Sequence, residues 1–199
     1  FNSSFQALTT DHLRSFTKDV WLQSKITAIH ALGDIWAMGS DPEIALTNII
    51  IPESSNEIQK RTIEEIIDGA NSVFGAEGVK IVGGHTSLGK EIVIGFTLGG
   101  FSKKQPKTVD KACVGDQIIL TKPLGSGVLL AGEMRFEGEG QHLKNLFDAM
   151  SQSQSSIAKV LSKVANSMTD ITGFGLAGHL LNIVSKSNVG AKLFLDQVP

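Results

Sequence analysis

Cysteine is nearly missing from this chain: Cys113 is the only one in 199 residues, so neither an intrachain disulfide nor a cysteine zinc cluster can form. That fits a reducing cytoplasm, and Cys113 is expected to pack as a small buried hydrophobe. Also lacking are an apolar run long enough to cross a bilayer and a basic segment leading into an apolar one, so neither a membrane span nor a signal peptide is expected. Charge of one sign is not in excess. The 18 basic and 20 acidic residues leave a formal charge of −2, and the basic ones are spread along the chain. No electrostatic footprint for nucleic acid or an anionic membrane results. There is no internal repeat or low-complexity tract. Neither phosphate-binding signature, Gly-Lys-Ser/Thr opening a helix or Gly-x-Gly-x-x-Gly, is present. What remains is 41% hydrophobic content, enough for a substantial core in one large domain or two small ones.

The periodicities read as mixed α/β. Apolar residues at Leu22, Ile26, Ile29, Leu32 and Trp36 predict a helix over residues 22–38, with Gly39 ending it. Residues 44–51 are rich in β-branched side chains and stop at Pro52, as a buried strand would. A second helix, capped at Ser54, Ser55 or Asn56, carries Ile58, Ile63, Ile66, Ile67, Ala70 and Phe74 toward Gly75 and Gly78. Residues 79–82 and 91–98 predict strands flanking a glycine-rich loop at 83–89. The polar stretch 102–109 reads as a linker, followed by a strand at 117–121, helices at 141–150, 155–168 and 176–184, and a final strand at 191–195. A lone terminal strand implies sheet partners elsewhere, so the second half is expected to be incomplete.

The chemistry-bearing residues lie mostly at element ends. The most informative stretch is Asp170-Ile171-Thr172-Gly173-Phe174-Gly175-Leu176-Ala177-Gly178-His179, an acid at the mouth of a glycine-studded turn that opens a helix. Asp34 lies in an otherwise apolar helix beside Ala31, Gly33 and Ala37, where small neighbours let a ligand or another backbone approach. Magnesium takes oxygen ligands, usually a few carboxylates plus substrate phosphates, so Asp34 and Asp170 make a plausible pair. Asp11, in Thr9-Thr10-Asp11, reads either as a turn residue or as a carboxylate set at a strand end. Gly83-Gly84-His85-Thr86 could present amides and a hydroxyl to phosphate or ribose oxygens, or simply turn the chain. Thr121-Lys122-Pro123-Leu124-Gly125-Ser126-Gly127 is a second turn, with a cation. His12, His30, His142 and His179 lack metal-ligand spacing and read as structural.

Together with His30-Ala31-Leu32-Gly33-Asp34-Ile35-Trp36-Ala37-Met38-Gly39, these motifs have an order and spacing that resembles the selenophosphate synthetase (selenide, water dikinase) family, within the aminoimidazole ribonucleotide synthetase superfamily. The resemblance covers nearly the whole chain. It implies a two-domain α/β fold with a truncated second domain, divided as 1–101, a linker at 102–111, and 112–199. It also implies magnesium-dependent transfer that turns selenide, ATP and water into selenophosphate, AMP and phosphate. By that resemblance Asp11, Asp34, Gly84, His85 and Thr86 contact ATP, Asp34 and Asp170 bind magnesium, and the chain forms a cytoplasmic homodimer. Thiamine-monophosphate kinase, hydrogenase-maturation dehydratase or a catalytically silent nucleotide-binding homologue are the alternatives.

Three departures qualify the resemblance. The family's N-terminal segment, with its cysteine or selenocysteine nucleophile, a lysine and another metal-binding aspartate, has no counterpart here, so this chain alone is expected to be inactive. The segment after Thr86 is short and lacks the usual acids, which resembles versions fused to a flavin-dependent oxidoreductase domain. Gly33 stands where serine is common.

Overall fold

Four strands and six helices follow one another in the computed structural model, which describes residues 5–199. The first part runs β1 (Phe5–Arg14), α1 (Val20–Ala37), β2 (Asp41–Pro52), α2 (Asn56–Glu77), β3 (Lys80–Gly89) and β4 (Val93–Ser102). The strands form one sheet in the order β1-β4-β2-β3; β4 is antiparallel to both its neighbours and β2 is parallel to β3. A parallel pair needs a crossover, which α2 provides.

Alternation decides which face is covered. Ala45, Thr47, Ile49 and Ile51 of β2 and Ile94, Phe96 and Leu98 of β4 are buried beneath the helices. Phe74 of α2 meets Phe96 edge to face, with centroids 5.0 Å apart. On the other face Leu8, Ile44 and Leu46 remain exposed. Asp19 caps α1 by accepting the Leu22 N–H at 2.8 Å, and Ser55 caps α2 through the Ile58 N–H. Gly39 and Gly78, at φ +65° and +74°, turn the chain out of these helices. Gly75 stays helical, and Ile58, at the first turn of α2, is exposed rather than part of the buried stripe.

The expected loop at 83–89 is instead strand: β3 continues through it, with Gly83 opposite Leu46, Gly84 opposite Thr47 and His85 opposite Asn48. The glycines sit in the ladder because β2 comes close, and a one-residue slip between Ala45 and Leu46 leaves Val82 out of register.

The remaining helices are α3 (Ser126–Met134), α4 (Gly140–Met150), α5 (Ser155–Val164) and α6 (Gly175–Ser187). Neither expected later strand forms among the described residues. Residues 117–121 are irregular, and 191–195 lead into a short 3-10 turn, Leu195–Gln197, because neither segment has a strand to pair with. The polar segment after β4 is pinned on both sides: the Lys107 N–H donates to Met38 O at 2.9 Å, its Nζ to Ala165 O at 2.5 Å, and Ser167 Oγ to Thr108 O at 2.8 Å. Among the described residues no helix is long and apolar enough to cross a membrane.

Candidate functional site

Two short ladders of side chains tie β1 to α1. Thr9 Oγ1 donates to Asp34 Oδ2, and one helical turn back along α1 His30 Nε2 meets Asp11 Oδ2 at 2.8 Å. Residues two apart on a strand advance about 6.6 Å and residues four apart on a helix about 6.0 Å, so the two pairs match in pitch. Asp11 therefore lies within β1 on its helix-facing side, not at a strand end as one reading of the sequence had it.

Asp170 arrives from the far end of the sequence, in the turn before α6. A Cβ built on Gly33 would stand 3.7 Å from Asp170 Cβ, so the turn lies directly against α1 next to Asp34. That is an ordinary van der Waals separation, and a serine at position 33 would fit. Burial, and then the neighbouring Asp34 carboxylate, raise the Asp170 carboxyl above its ordinary value of 3.8, while His179 and His30 pull the other way. Asp34, Asp170, Thr9, Met38, Lys107 and Leu8 line a cavity of about 300 Å³ that takes wall residues from both ends of the chain.

The glycine turn is built around His179. Its Nε2 accepts the Thr172 N–H at 3.1 Å, its ring lies 5.9 Å from that of Phe174, and Gly175 takes φ +64°. Gly178 leaves room for Phe174, whose Cβ would come within 2.7 Å of an added Cβ. His179 thus holds the turn that carries Asp170.

Gly84, His85 and Thr86 lie elsewhere. They occupy β3, at the opposite edge of the sheet from β1, three strand spacings or about 14 Å away. Within one chain they are not brought to Asp34 and Asp170. Lys122, in the second turn, gives its Nζ to Gln152 O at 2.7 Å, and burial lowers its pKa. Cys113 is exposed rather than buried, its N–H bound to Asp116 Oδ2 at 2.8 Å.

Sequence reasoning missed Thr9, His30, Lys107 and Thr108 as neighbours of the carboxylates. For His30 a signal existed, the four-residue step to Asp34; for Lys107, in a polar linker, there was none. No group of three or more His, Cys, Asp or Glu side chains placed to hold a metal occurs among the described residues. The two clustered carboxylates nevertheless suit magnesium, a hard cation that is bound by one or two carboxylates and completes its shell with waters and substrate phosphates.

Selenide, water dikinase of Shewanella sp. (strain MR-4) is 33% identical to this chain over 193 residues, which is 96% of this chain and 54% of that protein. The enzyme of the same name from Shewanella baltica (strain OS155 / ATCC BAA-1091) is 32% identical over 196 residues. The chain spans about half the length of these relatives. Among solved structures, thiamine-monophosphate kinase from Stenotrophomonas maltophilia K279a superposes with a TM-score of 0.78 at 22% identity, over 93% of this chain and 61% of that one. A HypE-HypF complex chain gives 0.76 at 19%, over 98% and 65%. These two likenesses show the fold. Residues 2–102 match the N-terminal domain of AIR synthase related protein and residues 114–199 its C-terminal domain, and the chain belongs to that family.

Proposed function

We propose that the complete protein is a selenide, water dikinase, making selenophosphate from selenide, ATP and water with release of AMP and phosphate. The observation that carries this is the meeting of Asp34 and Asp170, from opposite ends of the sequence, at one cavity in a chain a third identical to enzymes of that name. Phosphoryl transfer is catalysed mostly by positioning and by neutralising charge. Thr9 fixes the Asp34 carboxylate, and the His179-braced turn places Asp170 beside it before substrate arrives. Asp34 and Asp170 would hold magnesium, which when bound would supply positive charge to neutralise the phosphates of ATP.

Asp11, Gly84, His85 and Thr86 complete the proposed nucleotide contacts. Because β3 lies across the sheet from the carboxylates, a homodimer is part of the proposal: joining two copies through the open face bearing Leu8, Ile44 and Leu46 would cover its apolar residues and offer each cavity a second β3. The proposed setting is the cytoplasm.

The test is selenide-dependent AMP release by the full-length protein, beside the same assay on Asp170→Asn. Wild-type release that the variant abolishes is expected, while the variant keeps its fold by circular dichroism. Phosphorylation of thiamine monophosphate without any response to selenide would move the chain to the kinase branch. Near-normal turnover by Asp170→Asn would remove the metal assignment.

A further inference from the structure

We propose that His30 is a positioning residue for the nucleotide, acting through Asp11; this rests on the ATP-binding role of Asp11 given above. Both oxygens of Asp11 are held: Oδ1 accepts the His12 N–H at 2.7 Å and Oδ2 meets His30 Nε2 at 2.8 Å. The backbone bond comes with the strand itself, so it leaves the carboxylate free to swing about that one point. His30 supplies the second point and fixes the plane. The pair is partly open to solvent, the His30 and Asp11 side chains being 27% and 31% exposed, so a ligand can reach it.

An ionised carboxylate only accepts hydrogen bonds, so what it can take from a nucleotide is a hydroxyl or amine donor, in the direction its plane dictates. His30 is the side-chain partner of Asp11 among the described residues, and it also stands near enough to Asp170 to favour the charged form of that carboxyl. It therefore sits between the proposed nucleotide carboxylate and the proposed metal pair, one helical turn from Asp34. A partly exposed pair of this kind adds little to stability. Orientation by a supporting hydrogen bond is worth more to a ligand, about tenfold in affinity at sites where an outer residue holds a binding one.

The experiment is calorimetric titration of the full-length protein with magnesium ATP, together with steady-state kinetics and melting curves, on wild type, His30→Leu, His30→Gln and Asp11→Asn. For His30→Leu we expect ATP affinity to fall about tenfold, with the loss in KM for ATP rather than in kcat and a small change in Tm. Glutamine can offer an N–H near the position of Nε2, so His30→Gln is expected to recover most of the affinity. Three results would overturn the proposal. Unchanged ATP affinity in His30→Leu would do so, as would a loss that follows Tm and that glutamine does not rescue. Unchanged affinity in Asp11→Asn would do so as well, and if Asp170→Asn were still inactive the metal pair would stand without it.

Discussion

Asp170 sits where its charge is unwelcome. Burial and the Asp34 carboxylate raise its pKa, so the folded protein keeps this proton at pH values where the unfolded chain has lost it. Stability contributed by the protonated form is present below the ordinary carboxylate range and is lost as pH rises from there through the raised value. Asp170→Asn removes the charge but keeps the shape. In metal-free protein at pH 7 it should raise Tm by roughly 2–4 °C, the shift that about 1 kcal/mol produces at this size. The gain should vanish near pH 3, where wild type is protonated too. Melting curves at the two pH values, with chelator present, check both parts; a lowered Tm at pH 7 would mean that the carboxylate makes a stabilising contact. Asp170 stood out in the sequence because it opens a glycine-studded turn that leads into a helix. For His30 the four-residue step to Asp34 marked its side of the helix, but not its partner, since a histidine on a helix looks the same whether or not a carboxylate on a neighbouring strand faces it.

At the scale of elements, the helices were readable from their own residues. The 3.6-residue stripe and the caps Asp19 and Ser55 act within a few residues of one another, so local sequence determines them. Strands depend on partners that sequence does not display. Residues 117–121 and 191–195 have strand composition and stay irregular for want of a neighbour, while Gly83 and Gly84 have loop composition and lie in a ladder because β2 holds them there. That placement changes what Gly84 is for. A Cβ at this position would collide with Thr47 Oγ1 and approach the Thr47 backbone O to 2.5 Å and N to 2.8 Å. Gly84→Val should therefore destabilise the sheet by about 1–3 kcal/mol with or without nucleotide, in the range of other overpacked sites. Equilibrium denaturation in the presence and absence of magnesium ATP measures this. Full stability combined with lost ATP affinity would show β3 yielding at its free edge and would return Gly84 to a purely ligand-facing role.

For the whole molecule, the two-domain α/β class was legible from the order of elements and from motifs spaced along the entire chain. How the two ends meet was not, because it depends on side chains in a segment without periodicity. Lys107, Thr108, Ser167 and Met38 join the sheet-bearing part to α5 and α6 by three hydrogen bonds, and the cavity lies in that seam. Each of the two carboxylates belongs to a different side of it. Anything that binds both must hold the seam shut, and by mass action it stabilises only molecules in which the seam is closed. Heat capacity should register this: magnesium ATP should sharpen and merge the melting of the two parts into a single cooperative transition, whereas the ligand-free protein is expected to melt in two steps or one broad one. A ligand that raised one transition and left the other in place would be touching one side alone. Under the proposed function the seam would make substrate a fastener as well as a reactant, with folding cooperativity as a gauge of whether it has engaged both halves.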